Sequence, residues 1–323
     1  MTMVNPADQS VPDSTVPDAR PGNWVQRFAP LGWQPYLQLA RCDRPIGAWL
    51  LLFPCWWSLA LAELARGRPY PNPWYLLLFF IGAFVMRGAG CTYNDIIDRD
   101  YDAKVARTRN RPLPSGRVTV KQALAFAAAL SLIGLAVLLK FNEFTIKLGM
   151  ASLVLVAFYP FAKRFTNWPQ LVLGLTFKWG ALVGWAAIHH GIDPPAMALY
   201  AGCILWTIGY DTIYAHQDSR DDAVVGIRST ARHFGASTHN WVGGLYGGAV
   251  CLWALAGWLA TAHLMFFAAL ALVTLQLAWQ VTTLDIADPA NCLRRFKSNK
   301  DVGFAIFLGL LADMALSTLV ARV

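Results

Sequence analysis

Long apolar segments alternate with short polar ones over most of the chain. From residue 46 onward, nine windows of roughly 20 residues are apolar almost throughout, which is the length an α-helix needs to cross a bilayer. The windows are residues 46–65, 74–93, 120–139, 145–162, 169–188, 196–215, 241–260, 264–283 and 303–321. This pattern predicts an all-α, polytopic membrane protein with nine transmembrane helices.

The first 40 residues differ from the rest because they are polar and rich in proline. They lack the apolar stretch of a secretory signal and the acid-poor, Arg-rich composition of an organellar transit peptide. We expect residues 1–40 to form a disordered or interfacial cytoplasmic tail, followed by one nine-helix domain over residues 41–323. Aromatic and basic side chains mix from Trp24 to Leu39, which is typical of a helix lying in the membrane interface.

The placement of the basic residues predicts the topology. The chain has 27 Lys and Arg against 19 Asp and Glu, a net charge of +8. With the N-terminus inside, 20 basic residues fall in inside segments and five in outside segments, while Arg87 and Lys178 lie within helices. Cytoplasmic segments carry such an excess of Lys and Arg. The distribution of charge therefore indicates a protein embedded in a lipid bilayer with its N-terminus in the cytoplasm. We expect no nucleic acid partner.

A first acidic cluster continues out of the second apolar window. It contains Asn94, Asp95, Asp98 and Asp102. At 3.6 residues per turn, spacings of four and seven place these side chains on one helical face. Ionisable groups beside a membrane span are costly and mark functional candidates. The spacing predicts a carboxylate stripe at the end of this helix.

A second acidic cluster leaves the sixth window, where Asp218 and Asp222 stand one turn apart. Four predicted spans separate the two clusters, so an even number of crossings returns the chain to the cytoplasmic face. One such cluster could equally be a solvated loop whose charges pair with one another. Two matched clusters on one face favour a shared site.

The donor types in these clusters indicate a hard cation. Carboxylate and amide oxygens suit Mg²⁺, which commonly bridges carboxylates to phosphate oxygens and would make a diphosphate a better leaving group. Arginine is suited to bidentate phosphate contacts. The basic residues expected to support diphosphate binding are Arg107, Arg111, Lys163 and Arg164. The alternative for each is ordinary positive-inside bias.

At these residues the chain resembles the UbiA superfamily of intramembrane aromatic prenyltransferases. Its first motif, NDxxDxxxD, matches Asn94 to Asp102, and its second, DxxxD, matches Asp218 to Asp222. Longer stretches resemble the branch that prenylates 4-hydroxybenzoate. They are residues 44–47 (RPIG), 88–92 (GAGCT), 109–113 (RNRPL) and 210–218 (YDTIYAHQD). The similarity covers about residues 40 to 320.

The resemblance implies nine helices around a central cavity with a cytoplasmic cap, and a lateral opening for the prenyl chain. It implies that Mg²⁺ is held by Asn94, Asp98, Asp218 and Asp222, with Asp95 and Asp102 in support. It assigns Asp211 to orienting or deprotonating a phenol, and it links Arg164 to activity. The candidates for acceptor binding are Arg44, Arg87, Lys178 and Tyr214.

Two charged residues lie within predicted spans. Lys178 sits nine residues into the fifth window, about 14 Å deep at 1.5 Å per residue. It could pair with an acid of the cavity, alter acceptor binding, or extend to an interface. Asp313 in the ninth window is expected to be a hydrogen-bond partner between helices.

The function implied is transfer of a polyprenyl group from polyprenyl diphosphate to the ring carbon ortho to the hydroxyl of 4-hydroxybenzoate, an early membrane step of ubiquinone biosynthesis. The expected setting is a bacterial inner (cytoplasmic) membrane, with the active site facing the cytoplasm. Two alternatives stay open. Homogentisate or haem could be the acceptor, or the protein could be a transporter of cations or organic acids, which fits the hydropathy equally well.

Overall fold

The computed structural model describes residue 19 and residues 22–104, 108–217 and 228–320. Every regular element in this part of the chain is helical. The α-helices are α1 (Trp24–Phe28), α2 (Gln34–Leu39), α3 (Ile46–Ala65), α4 (Pro73–Asp102), α5 (Val120–Leu138), α6 (Glu143–Phe158), α7 (Ala162–Phe165), α8 (Pro169–Phe177), α9 (Gly180–His189), α10 (Pro194–Ala215), α11 (Thr230–Phe234), α12 (Thr238–Leu259), α13 (Leu264–Thr282) and α14 (Pro289–Val320). The all-α prediction is confirmed.

Eight helical stretches in the described residues are long and apolar enough to cross a membrane. They are Ile46–Ala65, Pro73–Asp102, Val120–Leu138, Glu143–Phe161, Pro169–His189, Pro194–Ala215, Thr230–Leu259 and Leu264–Thr282. They correspond to the first eight predicted windows, and the protein is a multi-pass membrane protein. The ninth window lies within α14 except for residue 321, which is outside the described residues, and α14 is not one of the eight.

The stretch from Trp24 to Leu39 forms two short helices, α1 and α2, rather than one interfacial helix. The side chain of Asn23 caps α1 by accepting from the amides of Val25 and Gln26. Pro30 and Gly32 fall between the two helices. Proline lacks the amide that a continuing helix needs, and glycine is a poor helix former, so the chain breaks there.

Helix α4 is 30 residues long and includes the whole first acidic motif. At 1.5 Å per residue it measures about 45 Å, which exceeds the roughly 30 Å hydrocarbon core. No proline follows Pro73 in this helix, so its hydrogen bonding continues past the apolar window. The predicted helical face of acidic residues therefore exists as one continuous element.

The fifth predicted window is a broken helix. Helices α8 and α9 meet at Lys178 and Trp179. The carbonyl of Lys178 accepts from the amide of Ala181, three residues on, and the carbonyl of Trp179 accepts from Leu182 in the same way. These bonds give the tighter turn of a 3₁₀-helix, which interrupts the α-helical ladder in the middle of the span.

Helix α9 packs closely on α3 through two glycines spaced four apart, Gly180 and Gly184. A Cβ atom on Gly184 would lie 2.6 Å from the carbonyl oxygen of Cys55. One turn further along, the Ser58 hydroxyl donates to the carbonyl of Ala181. Small residues at this spacing allow two membrane helices to approach until their backbones touch. Sequence periodicity alone did not indicate which helix these glycines face.

The chain divides into two compact units, residues 1–45 with 88–130, and residues 46–87 with 131–323. The core of the first unit is small and contains Leu39, Leu113, Val118 and Ala123. In the core of the second, Trp57, Trp206 and Trp253 pack with ring centroids 5.4–5.6 Å apart.

Asp313, in the second unit, is a hydrogen-bond partner between helices as predicted. Its Oδ2 atom accepts from the amide of His263 at 2.7 Å, and Oδ1 accepts from Met265 at 3.0 Å and Phe266 at 3.4 Å. These are amides at the first turn of α13, which have no partner within their own helix. A carboxylate of α14 thus caps α13.

Candidate functional site

In the first unit, arginines hold two of the acidic side chains of α4. Asp95 Oδ1 accepts from Arg41 Nη2 at 2.6 Å and from Arg111 Nη1 at 3.3 Å. The same Nη1 donates to Asp102 Oδ2 at 2.7 Å. Asp95 is completely buried. Because Arg111 reaches both carboxylates, Asp95 and Asp102 share one strip of the helix, as their spacing of seven predicts.

The other two residues of the motif form a neighbouring pair. Asn94 Nδ2 donates to Asp98 Oδ2 at 3.0 Å, and Asp98 is 1% exposed. At 100° per residue, Asn94 and Asp98 are rotated around α4 relative to Asp95 and Asp102. The predicted stripe is therefore two adjacent pairs, with a different set of partners for each.

Arg41 is a site residue that we did not single out from the sequence. It has a positive φ of 59°, a left-handed conformation that is uncommon outside glycine. Burial alone would lower the pKa of Arg41, but attraction to Asp95 and the hydrogen bond between them outweigh it, so the pKa lies above its usual value. Arg41 and Asp95 are 54 positions apart, so no local spacing signals the pair. Arg44, by contrast, pairs with its neighbour Asp43 at 3.3 Å.

The first motif offers donors that fit Mg²⁺. Carboxylate and amide oxygens are its preferred protein ligands. The second carboxylate oxygen of Asp95, Oδ2, is buried and accepts no hydrogen bond. Among the residues the structure describes, no group of three or more His, Cys, Asp or Glu could hold a metal. The second predicted pair, Asp218 and Asp222, lies outside the described residues, as does Arg107.

In the second unit, Arg87 of α4 is partly exposed and contacts an aromatic ring. Its guanidinium stands over the ring of Phe177, with Cζ 4.8 Å from the ring centroid. Its Nε atom is buried and makes no hydrogen bond. A Cβ atom on Gly47 would lie 2.7 Å from this Nε, so a larger residue at position 47 would displace the guanidinium from its present place.

Asp211 in α10 is surrounded by polar groups of the second unit. It interacts electrostatically with Arg87 and Lys178, and the polar side chain of Gln170 lies beside it. Gln170 Oε1 accepts from the amide of Thr230 at 3.1 Å, so the side-chain nitrogen of Gln170 is the group available to Asp211. Gln170 was not a sequence candidate, because a glutamine near the start of a span carries no distinctive pattern.

Two tyrosines flank Asp211 along the same helix. Tyr210 and Tyr214 both pack on Phe296, with ring centroids 5.7 Å and 4.5 Å away. Tyr210 is buried and Tyr214 is partly exposed. Of the two, the candidate Tyr214 therefore presents more of its surface.

Lys178 is fully buried at the break between α8 and α9. Its ammonium donates to the carbonyl of Leu50 at 2.7 Å. It also stands over the rings of Trp206 and Tyr210, 4.7 Å and 5.3 Å from their centroids. Lys178 does not extend to an interface, which is one of the alternatives left open by the sequence.

The remaining candidates lie in and beside α7. Arg164 is exposed, and its guanidinium stands 5.3 Å from the ring centroid of Phe161. The side chain of Lys163 is outside what the structure describes.

His216 follows the last residue of α10, next to the second motif, and its imidazole contacts the Thr238 hydroxyl at 3.0 Å. Burial, with a smaller contribution from His239, lowers the pKa of His216 and so favours the neutral imidazole.

Several curated proteins similar to this chain carry the same activity in their names. The "4-hydroxybenzoate polyprenyltransferase, mitochondrial" of Caenorhabditis elegans is 46% identical over 289 residues, covering 89% of this chain and 81% of that protein. The protein of the same name from Rattus norvegicus is 48% identical, with 89% and 76% covered. The Homo sapiens protein is 47% identical over 285 residues, with 88% and 76% covered.

Solved structures share the fold. An apo UbiA homolog from Aeropyrum pernix K1 superposes with a TM-score of 0.69 at 27% identity, covering 82% of this chain and 98% of that one. A UbiA homolog from Archaeoglobus fulgidus, bound to GPP and Mg²⁺, superposes with a TM-score of 0.65 at 18% identity, covering 86% and 99%. The second likeness concerns the fold alone.

The family model described as "UbiA prenyltransferase family" matches residues 51–310 of this chain. This range contains both acidic motifs and all of the candidate residues except Arg44. With α4 carrying the first motif as one helical element, and with relatives nearly half identical over most of their length, the chain belongs to the UbiA prenyltransferase family.

Proposed function

We propose that this protein transfers a polyprenyl group from polyprenyl diphosphate to 4-hydroxybenzoate, at the ring carbon ortho to the hydroxyl, in ubiquinone biosynthesis. The names of relatives 46–48% identical to the chain support this activity. The structural observation that carries the proposal is the organisation of α4, where arginines hold Asp95 and Asp102 while Asn94 and Asp98 pair with each other. Family membership favours an enzyme over the transporter that hydropathy also allows.

Mg²⁺ is the proposed cofactor. The residues that would hold it are Asn94, Asp98, Asp218 and Asp222. When bound, it would supply positive charge that neutralises the leaving diphosphate. The ion pairs from Arg41 and Arg111 fix Asp95 and Asp102, so these carboxylates keep their places in the helix beside the proposed ligands. Hydrogen bonds of this kind orient the groups that bind a metal.

Basic residues would bind the diphosphate. Arg107, Lys163 and Arg164 are proposed to contact it directly, because charge-assisted bonds to phosphate oxygens are stronger than neutral ones. Arg111 supports the site through the two carboxylates of α4. As the allylic carbon–oxygen bond breaks, the electron pair leaves with the diphosphate, and an allylic cation remains.

The acceptor would be oriented by its two polar ends. Arg44 and Arg87 are proposed to bind its carboxylate, and Asp211 its phenol hydroxyl. Lys178 is also a sequence candidate for this contact, but its ammonium is enclosed in the core. The ring carbon ortho to the hydroxyl attacks the cation, a carbon–carbon bond forms, and loss of the ring proton restores aromaticity. The ring face of Tyr214 in α10 is proposed to stabilise the cation.

Product identification tests this activity. The purified protein in detergent is incubated with Mg²⁺, a panel of prenyl diphosphates, and 4-hydroxybenzoate or homogentisate. We expect a product whose mass equals 4-hydroxybenzoate plus the prenyl group, formed without any gradient and lost when a chelator removes the metal. Transfer to homogentisate alone, or no Mg²⁺-dependent product with any acceptor, would overturn the proposal.

We also propose a bacterial inner membrane as the setting, with the site facing the cytoplasm. The distribution of 20 inside and five outside basic residues supports the orientation. The relatives compared are mitochondrial by name, so their names do not support this compartment. Labelling single cysteines placed in the loop after α4 with a membrane-impermeant reagent, in intact and in lysed cells, tests the orientation.

A further inference from the structure

Helix α3 contains a proline in its interior, Pro54. In an α-helix the amide of residue 54 would donate to the carbonyl of residue 50, but proline has no amide hydrogen. The carbonyl of Leu50 therefore lacks its helical partner. Leu50 is 2% exposed, so water cannot readily take that place. A buried carbonyl without a hydrogen bond is costly, which is why such groups almost always find a donor.

The donor is Lys178. Its Nζ atom lies 2.7 Å from the carbonyl oxygen of Leu50 and replaces the amide that Pro54 lacks. Lys178 belongs to the break between α8 and α9, so one hydrogen bond joins the break in the fifth span to the proline site in the first. Each feature interrupts the hydrogen bonding of its own helix. The lysine at the break provides the donor, and the carbonyl left free by the proline provides the acceptor.

Helix α10 encloses the same ammonium. The rings of Trp206 and Tyr210 face it at 4.7 Å and 5.3 Å, distances at which a cation is attracted to an aromatic face. The Trp206 indole is itself fixed, because its Nε1 donates to Asn299 Oδ1 at 2.7 Å. Tyr210 directly precedes Asp211, whose carboxylate interacts electrostatically with Lys178. The Lys178 ammonium thus links the α8–α9 break, to which it belongs, to both α3 and α10.

We propose that Lys178 is a positioning residue for the transfer reaction: by taking the place of the amide missing at Pro54, it ties α3 to the α8–α9 break and sets the position of Tyr210 and Asp211. This inference rests on the proposed function, since Asp211 is the residue assigned to the acceptor hydroxyl. Lys178 itself does not touch the substrate in this role.

Pro54 makes the proposal testable. Substituting Pro54→Ala supplies an amide that can satisfy Leu50 within α3, but it provides no link to α8 and α9. Lys178→Met keeps an unbranched side chain of similar length and removes the charge and the donor. We expect Lys178→Met to lower the thermal unfolding midpoint in detergent clearly. In a Pro54→Ala background the same substitution should lower the midpoint much less, because Leu50 is no longer left without a donor.

Turnover should separate positioning from simple stabilisation. We expect Lys178→Met to lower kcat about ten- to a hundred-fold, since small displacements of a reacting group have effects of this size. The KM for the prenyl diphosphate should stay near that of the wild type. In Pro54→Ala/Lys178→Met we expect kcat to remain low although the unfolding midpoint recovers, because the contact of the lysine with Tyr210, the residue next to Asp211, is still missing. Pro54→Ala alone should keep near-normal turnover, because the Leu50 carbonyl has two lone pairs and can accept from the new amide while it still accepts from Lys178.

A matched control is Asn142→Ala. The Asn142 side chain also donates to backbone carbonyls of the fifth span, because it contacts those of Ala186 and Ala187 in α9. Its loss should lower the unfolding midpoint equally with and without Pro54→Ala, and it should leave kcat unchanged.

Two results would overturn the inference. If Lys178→Met lowers the unfolding midpoint equally in the wild type and in Pro54→Ala, the assigned role of the bond to Leu50 is refuted. Recovery of kcat together with the midpoint in the double variant would refute positioning and leave a structural role only. If Lys178→Met alone does not fold, the double variant still decides the kinetic question. Absence of any prenyl transfer by the wild type would instead count against the proposed function, and the unfolding measurements would stand independently.

Discussion

Arg41 and Asp95 form a buried ion pair across 54 positions of sequence, with 2.6 Å between Nη2 and Oδ1. The side chain of Asp95 has no exposed surface, and that of Arg41 is 11% exposed. Removing one partner of such a pair leaves an uncompensated buried charge. The pair therefore ties the segment before α3 to the acidic face of α4 within the first unit.

Arg41→Met is expected to lower the free energy of unfolding by roughly 2 kcal/mol. The full cost of breaking a buried pair is about 3–5 kcal/mol, but Arg111 still contacts Asp95 at 3.3 Å and offsets part of it. Denaturation in a detergent titration measures the change. The control is Arg99→Met, which removes an exposed pair with Asp100 and should change little. Equal effects of the two substitutions would contradict the assigned role of Arg41.

Asp98→Asn is expected to reduce turnover at least about 100-fold while the protein stays folded, because it removes a charged metal ligand and the electrostatic stabilisation that depends on it. Asp222→Asn should do the same. Initial rates of prenyl transfer at saturating Mg²⁺ measure the effect. Asp100→Asn is the matched control, since Asp100 lies on the same helix and is largely exposed. Near-normal turnover in Asp98→Asn would exclude the metal role.

Gly184→Ala is expected to destabilise the protein by about 1–3 kcal/mol, the usual cost of overpacking a close contact. The added Cβ would meet the Cys55 carbonyl at 2.6 Å, and a backbone atom cannot move aside as a flexible side chain can. The unfolding midpoint reports the change. Gly244→Ala in α12 is the comparison, because nothing lies within 4 Å of its added Cβ. A midpoint unchanged by Gly184→Ala would show that α3 and α9 pack less closely.

Asp313→Ala is expected to lower stability by about 1–2 kcal/mol, as loss of a helix cap does, and to leave kcat unchanged. The substitution leaves the amides of His263, Met265 and Phe266 without their acceptor. Thermal unfolding and initial rates are measured on the same preparation. Asp301→Ala, at an exposed position of the same helix, should affect neither quantity. A selective loss of turnover in Asp313→Ala would assign Asp313 a role in catalysis.

The spacing of residues along the sequence predicts part of the candidate site. The spacing of Asn94, Asp95, Asp98 and Asp102 predicts one helical face, and α4 confirms it because spacing along a helix depends only on helix geometry. The hydrogen-bonding role of Asp313 follows similarly from a lone carboxylate within the ninth apolar window. The metal ligands, and the second motif at Asp218 and Asp222, stay predictions.

The sequence by itself determined the all-α class, eight of the membrane-spanning segments and the acidic face of α4. Bilayer thickness sets the length of an apolar segment and the helical repeat sets which residues share a face, so both are visible in the order of consecutive residues. Only the tertiary structure decided that Arg41 binds Asp95, that Lys178 satisfies Leu50, and that the fifth span breaks at Lys178. Those contacts join residues 54 and 128 positions apart, and a hydrogen bond depends on where two groups meet in space rather than on their separation along the chain.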